Sequence, residues 1–105
     1  MTSEPRLAKL LEKFVERLPE RVATMESLLR ENDLAALRQA VHQLKGAGGG
    51  YGFPQITERA TMAEEQIKAA TPDLAAIQKD VQSLIELVRN VEGYDREKER
   101  VPAKA

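Results

Sequence analysis

An all-α fold, an antiparallel up-down four-helix bundle, is what this 105-residue sequence predicts, and three observations predict it. Apolar residues recur three or four positions apart in four separate runs, which is the spacing of one helix face. No run alternates apolar and polar residues as a half-buried strand does. The breaks between runs are short, and short connections favour antiparallel neighbours.

The first run is Leu7, Leu11, Phe14, Leu18, Val22, Met25 and Leu29. Pro19 lies inside it and removes a backbone donor, so a break or kink is expected there although the apolar phase continues. Asn32 and Asp33 then offer an N-cap. The second run is Leu34, Leu37, Val41, Leu44, Gly48 and Tyr51. Phe53 precedes Pro54 and is pushed out of the helical region, while Pro54 suits the first turn of the next helix. The third run is weaker and built of small residues: Ile56, Ala60, Ala63, Ile67 and Ala70. Thr71 and Pro72 repeat the cap-plus-proline signal, and Leu74, Ile77, Val81, Leu84, Val88 and Val91 follow. Residues 1–94 therefore form the bundle, and residues 95–105, DREKERVPAKA, a charged tail expected to fray and lose order.

Composition narrows the function. The formal net charge is −1 and the cations read as scattered along the chain, which argues against nucleic-acid or membrane-surface binding. No apolar run approaches the length of a membrane span, and MTSEPRLAKL lacks the apolar core of a signal peptide. With no cysteine, neither disulfides nor thiolate chemistry enter. A cytoplasmic monomer is expected, because the bundle seams consume the apolar faces.

The stretch AVHQLKGAGGGYGFP, residues 40–54, carries the single histidine and five of the six glycines. Each glycine inside a helix costs about 1 kcal/mol relative to alanine, so the run needs a reason. Gly48 falls on the apolar seam, where a missing side chain admits a close neighbour, and Gly52 is placed to end the helix. His42 lies beside the seam, with Arg38 four residues before it, Lys45 three after, Gly46 four after and Gly49 seven after, all on one face. Bare backbone at Gly46 and Gly49 would let another protein's loops reach the imidazole. An accessible neutral imidazole is a nucleophile that can accept a group and pass it on, and cations beside it suit a transferred phosphoryl dianion. Neither a G-x-G-x-x-G nor a Walker pattern is present, no ligand spacing for a metal appears, and no Ser-His-acid set accompanies His42. The other half of the chemistry must come from a partner.

His42, Leu44, Lys45, Gly46, Tyr51 and Gly52 follow, in order, the signature of histidine-containing phosphotransfer domains, and from about Leu7 to Val91 the chain resembles that family. The resemblance is to the modules at the ends of bacterial hybrid sensor kinases. It implies a phosphorelay intermediate with His42 as phosphoacceptor, Lys45 stabilising the phosphoryl oxygens, and Arg38, Gln39, Gly46 and Gly49 meeting the partner. It implies receiver domains as donor and acceptor, with Mg²⁺ supplied by the receiver and no cofactor bound by this chain. Many relatives carry Ser and Asn where this sequence has Ala47, Gly48, Gly49 and Gly50, so help from a hydroxyl or amide there is missing. The other reading of the same residues is an adapter that docks receivers without phosphotransfer. An autonomous kinase is excluded by the absence of any nucleotide-binding loop.

Overall fold

A computed structural model describes residues 5–101. Four helices, α1 (Pro5–Glu31), α2 (Leu34–Gly50), α3 (Pro54–Lys68) and α4 (Leu74–Arg89), pack as an antiparallel bundle, followed by one 3-10 turn at Arg96–Lys98. No strand occurs among the described residues. The seams read from the sequence meet in one core: Leu18 and Val22 from α1, Leu37 and Val41 from α2, Ala60 and Ala63 from α3, and Val81 and Leu84 from α4 are fully buried. Asp33 caps α2 by accepting from the Ala36 amide at 3.2 Å.

Three local expectations are corrected. Helix α1 runs without a break through Pro19, which is itself buried in the core. Burial of the ring within the bundle offsets the single backbone bond lost there. The cap of α4 is Asp73, which accepts from the Ala75 and Ala76 amides at 3.0 and 3.3 Å; Thr71 and Pro72 lie ahead of it. The tail does not fray at Asp95: that residue caps the 3-10 turn, and Glu99 accepts from Arg89 Nε at 2.8 Å and from the Tyr94 hydroxyl at 2.6 Å. Arg89 also reaches Glu26 of α1 at 3.2 Å, so one guanidinium ties the chain end to the first helix. The hydrogen bond from Arg89 holds the Glu99 carboxyl down at about 2, against the opposing effect of burial. Residues 102–105 lie outside the described residues.

At 27 residues α1 is about 40 Å long, against about 25 Å for the 17 residues of α2. Phe14 stacks on Tyr51, just past the end of α2, with ring centroids 4.8 Å apart. The turns of α1 before Phe14 therefore overhang the bundle, which leaves Leu7 and Leu10 exposed although Leu7 continues the apolar phase. Leu74, which opens its run at the opposite end of the bundle, is likewise exposed.

Candidate functional site

Helix α2 serves two surfaces. Leu37, Val41, Leu44 and Gly48 are buried, while Gln39, Gly46 and Gly49 point out of the bundle and the His42 side chain is 64% exposed. At Gly48 α2 packs tightly on α3: a Cβ there would sit 3.0 Å from Ile56 Cγ2 and 3.2 Å from Thr57 Oγ1. The Thr57 hydroxyl donates to the Lys45 carbonyl at 3.1 Å and fixes the two helices in register. Helix α2 then stops cleanly. Gly52 takes φ +83°, and the Phe53 amide turns back to the Gly48 carbonyl at 2.8 Å, a Schellman-type end.

This close approach brings in a residue that the sequence reading missed. Glu64 of α3 is buried, and its carboxylate lies between the site residues of α2. His42 Nδ1 stands 3.0 Å from Glu64 Oε2, Lys45 donates its ammonium to Oε1 at 2.9 Å, and Arg38 Nε is 3.8 Å from Oε2. The Lys45 hydrogen bond outweighs the effect of burial and, with the bond to His42, keeps the Glu64 carboxyl below the usual carboxylate range. An ionised carboxylate only accepts, so Nδ1 carries the proton in the neutral ring and the Nε2 lone pair is left free. The sequence did hold a signal. Glu64 is four residues after Ala60 and three before Ile67, a charged residue at core spacing, and such a residue is kept only when it has partners.

His42, Lys45 and Arg38 are thus brought together around one carboxylate, while the remaining site residues are set by space. A Cβ added at Gly46 would meet nothing within 4 Å, and one at Gly49 only the Thr57 hydroxyl at 3.5 Å. An open groove beside the imidazole is lined by Arg38, Gln39, His42 and Glu64 together with Asp33 and Ala36. Among the described residues no group of three or more His, Cys, Asp or Glu side chains is placed to hold a metal ion. No helix among them is long and apolar enough to cross a membrane.

Fold and site together define a helical bundle that presents one exposed imidazole, hydrogen-bonded from behind to a buried carboxylate, on an open surface. The family model of the Hpt domain matches residues 9–92, and the chain belongs to that family. Comparison with curated proteins and with solved structures returns no match. Membership implies phosphotransfer in two-component signalling, in which such domains act as carriers rather than kinases.

Proposed function

We propose that the chain is a phosphorelay intermediate: His42 Nε2 takes a phosphoryl group from the aspartyl phosphate of one receiver domain and gives it to the aspartate of another. The observation that carries this reading is the pairing of an exposed imidazole with a buried carboxylate on its far nitrogen. In the forward step the Nε2 lone pair attacks phosphorus in line, the N–P bond forms, and the acyl-phosphate P–O bond breaks with its electron pair leaving on the receiver carboxylate. The ring becomes cationic, and its remaining proton stays on Nδ1 against Glu64. Because Nδ1 keeps that proton, the ring departs as neutral imidazole in the return step, a far better leaving group than imidazolate.

Lys45 enters this scheme differently from the resemblance alone. Its ammonium is engaged with Glu64 Oε1, so its first role is to keep that carboxylate ionised and oriented. Reaching the phosphoryl oxygens requires it to let go. Arg38, 53% exposed and only at the edge of the carboxylate, is freer to turn outward. Gly46 leaves room for the receiver, whose own acidic pocket would bring Mg²⁺.

Incubation with a receiver domain charged by acetyl phosphate should place acid-labile, alkali-stable label on this chain, and His42→Gln should abolish it. Label on the His42→Gln protein at the wild-type level would overturn the proposal. Association with the receiver without any label on the wild type would favour the adapter reading instead. Labelled ATP alone should give no incorporation.

A further inference from the structure

Arg6, Lys9, Lys13, Arg17 and Arg21 follow one another three or four residues apart, so they line a single flank of α1 over about 22 Å. The first four are exposed and Arg21 is half-buried. None of the five enters an ion pair among the described residues. The C-terminal part of the flank faces α2: Arg17, Glu20, Arg21 and Thr24 share a shallow cleft with Ala40 and Gln43, and Gln43 adjoins His42 in the chain. The stripe thus ends against the helix that carries His42, at the turn that holds it. Another flank of α1 carries Glu12 and Glu16 and faces Glu92, Asp95 and Lys98 across a second groove. Five of the chain's 16 Lys and Arg residues are thus gathered on one flank of α1, although the net charge is −1.

Arg21 is the telling residue. Burial and the neighbouring Arg17 guanidinium both hold its pKa below the ordinary arginine value, and although Glu20 lines the same cleft, neither guanidinium is ion-paired among the described residues. A surface that tolerates this is complementary to an anion supplied from outside.

We infer that this flank of α1 is a docking surface for the acidic face of the receiver domain that exchanges phosphoryl groups with His42, with Arg21 as its anchor in the α1–α2 cleft. The inference rests on the phosphorelay reading and names a second contact area of the same partner. A receiver must bury His42 to react with it, and any protein seated on α2 over Gly46 also covers the cleft at Ala40 and Gln43. A lipid surface or a nucleic acid would meet the exposed cations of the overhang, but neither explains an anchor held in a cleft against the helix that carries His42.

The test compares two donors. Phosphoramidate is small and reports the chemistry of His42 alone; a receiver charged by acetyl phosphate reports chemistry plus docking. Lys13→Glu/Arg17→Glu, at exposed positions, and Arg21→Gln should label at the wild-type rate with phosphoramidate. With the receiver, kcat/KM should fall about tenfold or more at low ionic strength, and the wild type's salt dependence should flatten. Receiver transfer unchanged in both variants, while His42 still labels, would overturn the docking surface and leave the phosphorelay intact. No label on the wild type from either donor would overturn both. Wild-type binding to phosphatidylserine vesicles or duplex DNA that Lys13→Glu/Arg17→Glu abolishes, with receiver transfer unaffected, would reassign the stripe and overturn the inference.

Discussion

Glu64→Gln isolates what the buried carboxylate does. The carboxylate receives two donors at once, Lys45 Nζ at 2.9 Å on Oε1 and His42 Nδ1 at 3.0 Å on Oε2. An amide of the same shape has one oxygen and one NH₂, so it can accept from one of these groups and must turn a donor toward the other. Keeping Lys45 satisfied points the NH₂ at the ring, which rewards a proton on Nε2 and occupies the attacking lone pair. A hydrogen bond to a charged group is worth about 1.5–3 kcal/mol, so losing this one should slow labelling of His42 about 10- to 150-fold. Single-turnover labelling with phosphoramidate measures it without any contribution from docking. Ring ¹⁵N shifts on the same samples report the tautomer, which a merely structural role for Glu64 would leave alone. If Glu64→Gln labels at the wild-type rate with the proton still on Nδ1, the positioning argument is wrong.

Three further outcomes follow from the same geometry. Gly46→Gln should raise helix stability by a few tenths of a kcal/mol in a thermal melt, since the added side chain meets nothing, yet slow transfer from a receiver; equal rates would refute the access role. Gly48→Val should lose about 1–3 kcal/mol in a denaturant titration, because its Cβ would press on Ile56 and Thr57; unchanged stability would mean that α2 and α3 are free to separate. Glu99→Gln should cost about 1–3 kcal/mol at neutral pH by weakening the Arg89 pair. Since folding lowers the Glu99 pKa to about 2, its stabilisation is complete above its ordinary value of 4.5 and fades as pH falls toward 2. The stability gap between wild type and Glu99→Gln should close over that window, and a gap unchanged at low pH would rule the pair out as its source.

The helices were legible because their seams are long and regular: Leu37, Val41 and Leu44 allow only one buried face. The site was half legible. His42, Lys45 and the glycines stand within one short stretch, whereas Glu64 lies 22 residues from His42 on the run with the smallest side chains. Its core spacing is visible only when charged residues are tested against the apolar phase and not merely skipped. Order in the tail was illegible for a similar reason, because DREKER reads as solvated charge until Arg89 and Glu26, 63 residues apart, are known to meet. The basic flank of α1 follows from spacing alone, but only the structure sets its end against Ala40 and Gln43 of α2.

The bond between Lys45 and Glu64 bears on what a carrier must avoid. A protein that only stored phosphate would surround it with free cations and sink into a deep energy well. Here the nearest ammonium already has an anion of its own, so an arriving phosphoryl group must compete for it with a neighbour that never leaves. On the phosphorelay reading, that competition keeps the well shallow from within the fold and favours departure to the next aspartate.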